Sequence, residues 1–211
     1  NYDIQGQIKN FENHGYQLVS DDYPANGEVF NNPGHVNKYV VHLKHKVTSD
    51  STTNNPDNVA DLTKTVSETI TYTYANGKTA AQSVTNKVTF TRTATKDQVT
   101  GKVTYGAWTP AGNDDFPAVA SPTITGYTPS VAQVGAVNNV AANASNIVKN
   151  VVYTPNEEEA TVTFVDATTG KTISVTDLTG PFGSTSDYSP AATIKQLENQ
   201  GYEVVSDNYP Q

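Results

Sequence analysis

The sequence predicts an α+β, β-rich chain, with a helix set over a mixed sheet at each end and a mainly β domain between. Three observations carry this: a Thr- and Asn-rich composition, a long internal repeat joining the two ends, and alternating apolar positions through the middle. Of 211 residues, 30 are Thr and 21 are Asn, while Cys and Met are absent and Trp occurs once. Thr is β-branched and suits the solvated face of a strand. Asn and Gly serve the turns between strands. An all-helical chain would use Ala, Leu, Glu and Lys in those places. The lack of Cys and Met reflects either drift or selection for an oxidising exterior, where thiols and thioethers are liabilities. Either way, the composition reads as extracellular.

The balance of charge narrows the function. Lys and Arg number 13 against 21 Asp and Glu, for a net charge of −8 and a pI near 4.8. Nucleic acid and anionic bilayers both need a basic surface, so neither is expected as a partner. No apolar run approaches the ~18 residues of a membrane span, and no signal-peptide pattern opens the sequence. Without Cys, disulfides, thiolate zinc sites and cysteine nucleophiles are excluded.

The repeat lies at an offset of 186. Ile8 to Pro24 reads IKNFENHGYQLVSDDYP and Ile194 to Pro210 reads IKQLENQGYEVVSDNYP, identical at 11 of 17 positions. Upstream, Tyr2 matches Tyr188 and Asp3 matches Ser189. Such a pattern predicts a window taken from a tandem array. In the first copy Asp3 caps a helix whose stripe is Ile4, Ile8 and Phe11, and Gly15 stops it. In the second, Ser189 is the N-cap, Pro190 suits the first helical position, Ile194 and Leu197 share a face, and Gly201 is the left-handed stop. A strand is expected after each Gly, at Tyr16 to Ser20 and Tyr202 to Ser206. Another is expected over His35 to Val47, where Tyr39, Val41, Leu43, His45 and Val47 alternate.

Ahead of the second copy, Thr161 to Val165 and Thr172 to Leu178 flank the turn Ala167 to Lys171, which predicts a hairpin. Joined across the period, residues 160–210 and 25–47 give a unit of about 74 residues, just enough to bury a core. Hairpin, crossing helix, then two more strands is the order of a ubiquitin-like β-grasp. The expected organisation is therefore 1–47 as helix and later strands of one β-grasp unit and 48–155 as a mainly β domain. Residues 160–211 then supply hairpin, helix and first following strand of the next unit, and the whole is an elongated tandem.

Within the central domain, Val66, Glu68, Ile70, Tyr72 and Tyr74 alternate with Ser and Thr up to Asn76-Gly77, a type I′ hairpin signal. The return strand covers Gln82 to Thr93, with Val84, Val88 and Phe90 on one face. After a turn at Lys96-Asp97-Gln98, Val99 to Tyr105 reads as a third strand and Ile147 to Tyr153 as the last. Pro110 to Pro122 is loop-like, and Val131 to Ala144 carries no usable pattern. Ser49 to Asn58 and Pro155 to Glu159 read as linkers, the Glu run self-repelling.

These motifs carry a family resemblance. TVTFVDATTGKTI (Thr161 to Ile173), Gly180, the helix and GYEVVSDNYP together resemble the mucin-binding domain of Gram-positive surface proteins. TFTRTATKDQVTG (Thr89 to Gly101), GAWTP (Gly106 to Pro110), FPAVASPTITGYTP (Phe116 to Pro129) and VVYTP (Val151 to Pro155) resemble its companion, the B2-type domain of lactobacillal mucus-binding protein repeats. The resemblance covers nearly the whole chain, in a permuted frame that leaves neither mucin-binding unit complete. It implies a cell-wall-anchored adhesin of many repeats, with mucin glycoproteins as partners and, for some members, immunoglobulins.

Catalytic and metal chemistry finds little support. No phosphate loop or zinc-protease helix is present, and no cofactor is implied. The four His are His14, His35, His42 and His45. His42 and His45 would point to opposite faces of one strand and so cannot chelate together. Asp21-Asp22 and Asp114-Asp115 lack the spacing of a calcium loop and read better as solvated turns. A glycosidase would need paired carboxylates in a cleft, and a chain this thin in core offers none, so an enzyme is not expected. Glu68, on an apolar face, is the best candidate for a buried carboxylate promoting a Lys–Asn crosslink; the plainer alternative puts it at a strand end or edge.

Aromatic rings are the expected binding chemistry, since sugar C–H faces stack on them while Asn, Thr and Asp meet hydroxyls. Trp108, between Gly106 and Pro110, is either a loop platform or a core plug. Tyr23 and Tyr209, each beside Pro after an acidic turn, are either ring platforms or caps on the β-grasp core. Three functions compete: a weak, multivalent mucin-binding repeat, a spacer that binds nothing, and immunoglobulin capture by strand addition at a β-grasp sheet edge. The permuted frame predicts one of two outcomes: the hairpin of one repeat pairs head-to-tail with the N-terminal strands of the next, or each half folds partially on its own with open strand edges.

Overall fold

A computed structural model describes residues 2–210. In chain order the elements are α1 (Ile4–Asn13), β1 (Tyr16–Asp21), β2 (Val41–His45), β3 (Val47–Asp50), β4 (Thr63–Tyr74), β5 (Thr79–Thr91), β6 (Ala94–Asp97) and β7 (Val103–Tyr105). They continue with β8 (Thr109–Pro110), β9 (Val119–Ala120), β10 (Tyr127–Pro129), β11 (Gln133–Val134), β12 (Ile147–Pro155), β13 (Glu157–Asp166), β14 (Lys171–Pro181) and α2 (Ala191–Glu198). The α+β, β-rich class is as the sequence predicts. The chain forms two compact units, one of Asn1–Glu68, Asn86–Pro117 and Ala136–Ile147, the other of Thr69–Thr85, Ala118–Gly135 and Val148–Gln211.

In the first unit, the Asp3 carboxylate accepts the Gly6 N–H at 2.8 Å and starts α1, which buries Ile8. Gly15 ends it at φ +90°, so close to the Gln98 backbone that a Cβ would come within 2.5 Å. This is a left-handed stop that only glycine can fill. β1 then pairs antiparallel with β2, from Tyr16↔His45 to Asp21↔Val41, with a bulge that turns Val19 outward. Of the strand expected over 35–47, Val41–His45 pairs with β1, Val47 begins β3, and residues 35–40 form no strand. β3, β6 and β7 make a second small sheet over Val59, Leu62, Ala94 and Val103. The expected third strand begins at Val103, not Val99, because the turn falls at Asp97–Lys102: the Asp97 carboxylate accepts the Val99 and Thr100 N–H groups.

The stretch 49–58 is tied down. Asp50 is 1% exposed and accepts the Asp57 N–H at 3.0 Å, while Asn55 bonds both backbone groups of Val59. Composition suggested a linker; side-chain-to-backbone bonds make it a folded loop. Val66, Val88, Phe90, Phe116 and Val140 form the main core of this unit.

The five-stranded sheet runs β10-β12-β4-β5-β8. Strand alternation in β4 holds as read, with Val66, Glu68, Ile70 and Tyr72 all buried. Glu68 lies mid-strand between two neighbours, not at an edge, and is 0% exposed. Asn86 donates to it at 3.1 Å; no lysine pairs with it among the described residues. The second unit's core is Ile70, Tyr72, Val134, Val151 and Tyr153.

In the second unit β13 and β14 form the predicted hairpin, but pairing starts at Glu157↔Pro181 and so takes in the Glu run expected as a linker. The three carboxylates remain exposed, so extending the ladder buries no charge. α2 starts one residue later than expected: Pro190 takes the cap position with helical angles, and the Ser189 hydroxyl accepts the Ala191 N–H at 3.3 Å. Gly201 ends the helix at φ +92°. Tyr202 to Ser206 forms no strand. Its counterpart in the first copy pairs with Val41–His45, and that partner sequence occurs once in the chain.

Candidate functional site: three aromatic clusters

The two sequence copies build the same corner. After the left-handed Gly, a strand-length segment ends at an Asp whose carboxylate accepts the N–H two residues on. Asp21 takes the Tyr23 N–H at 2.8 Å, and Asp207 takes the Tyr209 N–H at 2.9 Å. Past this Asx turn each Tyr ring meets a second tyrosine that lies two or three residues ahead of the helix. Tyr23 meets Tyr2 edge-on at 6.2 Å and 63°, and Tyr209 meets Tyr188 at 5.9 Å and 71°. Both pairs obey the 186-residue offset. They differ in detail: the Tyr209 hydroxyl donates to the Tyr188 carbonyl at 2.8 Å, whereas the Tyr23 hydroxyl faces the Glu28 N–H at 3.4 Å.

Around Tyr23 the cluster is larger than the sequence suggested. Tyr39 packs edge-on to it at 5.3 Å, and its hydroxyl donates to Glu28, as does the Asn37 amide at 2.6 Å. The Tyr39 hydroxyl, followed by Asn37, holds the Glu28 carboxyl below its ordinary value, and the same carboxylate pushes the Tyr39 phenol up. A cleft of about 270 Å³ opens beside it, lined by Tyr2, Asp3, Gln5, Tyr23 and Asn26 among others. Tyr23 is half-buried and lines this cleft.

Trp108 is also half-buried, in the loop between β7 and β8, with one side against the Val66–Phe116 core. The Arg92 guanidinium lies 4.3 Å from its ring centroid and 3.7 Å from that of Tyr105. Arg92 is held there by its Nε donating to the Asp61 carbonyl at 2.7 Å. Trp108 thus packs on the core on one side, and on the other its ring takes a cation–π contact from Arg92. Tyr2, Tyr39, Tyr188 and Arg92 were missed as cluster members; the match of Tyr2 with Tyr188 was the available signal for two of them.

The acidic pairs tie local and distant backbone together rather than standing free in turns. Asp22 accepts the Val40 N–H at 2.5 Å, and Asp115 accepts that of Asn139 at 2.8 Å. His45 Nδ1 lies 2.8 Å from Asp97 Oδ2, and this contact, ahead of the Thr100 and Val99 N–H groups, lowers the Asp97 carboxyl to about 2. No group of three metal-ligating side chains occurs among the described residues.

Residues 57–157 match the Muc B2-like domain family, and residues 1–45 and 158–211 together match the mucin binding domain family. Among solved structures, the chain resembles Mub-RV at 40% identity and a TM-score of 0.61, over 74% of this chain and 83% of that one. It also resembles the type 2 repeat of the mucus binding protein MUB from Lactobacillus reuteri, at 37% identity and a TM-score of 0.52 over the same shares. No curated protein sequence matches it. With identity of 37–40% over more than four-fifths of those repeats, the chain belongs to the Mub mucus-binding repeat family, a Muc B2-like domain flanked by two segments that match the mucin binding domain family.

Proposed function

We propose that this chain is one repeat of an extracellular, cell-wall-anchored adhesin that holds mucin glycoproteins through many weak glycan contacts. Both matched families are adhesin-type domains rather than enzymes. The observation that carries the reading is the paired corner: two half-buried tyrosines, Tyr23 and Tyr209, set by the same Asx turn against Tyr2 and Tyr188. Tyr23 and Tyr209 are the ring platforms of this reading; Trp108, with the core on one side and Arg92 on the other, would contribute through its exposed edge. A half-buried ring offers a small stacking surface, worth little alone. Repetition along one fibre turns such sites into firm attachment by raising effective concentration. An acidic surface at net −8 gains nothing from a polyanion, so the contacts fall on neutral sugar faces.

The test is binding of the chain to immobilised mucin before and after enzymatic removal of glycans. Binding that vanishes with the glycans, and weakens about three- to tenfold in Tyr23→Ala and again in Tyr209→Ala, supports the reading. Binding that survives deglycosylation overturns it. If that surviving ligand is immunoglobulin, the two-stranded β1–β2 sheet, whose outer edges are unpaired, becomes the site to examine.

A further inference from the structure

We propose that the solvent face of the β4–β5–β12 region is a second carbohydrate contact, fitted to a neutral, hydroxyl-rich oligosaccharide. It rests on the mucin-glycan reading and extends it to the Muc B2-like domain. A groove of about 600 Å³ lies there, lined by Thr71, Tyr72 and Thr73 of β4, Thr79, Ala81, Gln82 and Ser83 of β5, and Asn150 of β12, so that hydroxyls and amides alternate with apolar carbon. Strand alternation explains its polarity: Ile70 and Tyr72 point into the core, so Thr71 and Thr73 point out.

The groove is preorganised at its centre. Thr71 and Thr73 donate to Asn150 Oδ1 at 3.0 and 3.2 Å, and Asn150 Nδ2 lies 3.1 Å from the Thr73 hydroxyl. Asn150 therefore sits in one rotamer before any ligand arrives, which lowers the ordering cost of binding. At the rim the side chains of Thr79, Gln82 and Ser83 have no hydrogen-bond partner among the described residues. Hydroxyls and amides both donate and accept, as sugar hydroxyls do, so this set matches a polyol from either side.

Charge and shape select the ligand further. No Asp, Glu, Lys or Arg lines the groove, so it favours neither anion nor cation. No exposed ring or large aliphatic anchor is present either, and protein partners depend on such anchors. An open face that mixes hydroxyls and amides with apolar carbon suits several sugar units laid along it, whose hydroxyls and C–H faces meet both.

The test uses neutral oligosaccharides released from mucin, titrated into isotopically labelled chain and followed by backbone amide shifts. The expected result is shifts at Thr71, Thr73, Gln82 and Ser83. These should weaken about fivefold or more in affinity in the Gln82→Ala, Ser83→Ala double variant, whose lost side chains hold nothing else in place. Shifts confined to Tyr23 or Tyr209 overturn this proposal and leave the mucin reading standing. No shifts anywhere overturn both. Unchanged affinity in the double variant also overturns the groove assignment.

Discussion

Two tyrosines in one core make a matched experiment. Tyr72 and Tyr153 are 1% and 0% exposed, and their rings meet edge-on at 6.4 Å in the same cluster. The Tyr153 hydroxyl donates to the Pro122 carbonyl at 2.6 Å, while the Tyr72 hydroxyl is buried without a partner. Tyr153→Phe leaves the half-buried Pro122 carbonyl without this bond and should cost about 1–2 kcal/mol. Tyr72→Phe removes a hydroxyl that makes no bond, so it should be neutral or stabilise by up to about 1 kcal/mol. The variants should thus differ by about 2 kcal/mol despite identical chemistry. Urea unfolding at neutral pH measures this, provided the denaturant slope is unchanged. Equal losses in both variants, or a larger loss in Tyr72→Phe, would refute the reasoning. A pH arm adds a check. Burial, followed by the Tyr72 charge, pushes the Tyr153 phenol up. Its contribution is therefore complete below pH 10 and falls as pH rises towards the native value. Tyr153→Phe should flatten that alkaline fall.

Three further predictions concern the corners and the turns. Gly15→Ala should destabilise by about 2 kcal/mol or more, because the left-handed φ and the Gln98 backbone both oppose a Cβ. Gly201→Ala, at φ +92° in open space, should cost only about 1 kcal/mol, and thermal melts of the pair compare them. His45→Ala should raise the Asp97 carboxyl from about 2 towards 3.8, read by carboxyl-carbon NMR. Because the native value is depressed, the contribution of Asp97 to stability is present above about pH 4 and lost as pH falls through about 2. Arg92→Ala should red-shift the emission of Trp108, the chain's single Trp, and cost about 1–2 kcal/mol from the lost ring stacks and the Asp61 bond.

Sequence reading went furthest where a single residue type has one physical use. Gly15 and Gly201 marked the helix ends, and alternation found the buried face of β4. Asn76-Gly77 marked the place of the β4–β5 turn but not its type, since Gly77 takes a positive φ and Asn76 does not, whereas a type I′ turn requires it at both. It went astray where the outcome depends on a distant partner. Tyr202 to Ser206 carries nearly the sequence of β1, yet a strand requires a neighbour and has none here. Glu157–Glu159 looked like a linker because like charges repel, but Thr179–Pro181 gives that backbone a partner at no cost in burial. Phe116, fully buried and bridged to Val137, sits in a stretch with no usable period, since one isolated bridge leaves no repeating pattern. At the candidate sites, Tyr23, Tyr209 and Trp108 were visible as rings beside turns. Tyr39 and Arg92 were not, because their roles arise only when separate strands meet.

Mucin attachment by a single repeat compared with attachment by four copies in tandem tests the account at its centre. Weak, repeated glycan contacts predict an apparent affinity at least about a hundredfold tighter for the four-copy chain, and loss of binding by both once glycans are stripped. Equal affinity for one copy and four, or undiminished binding to the stripped protein, would contradict it.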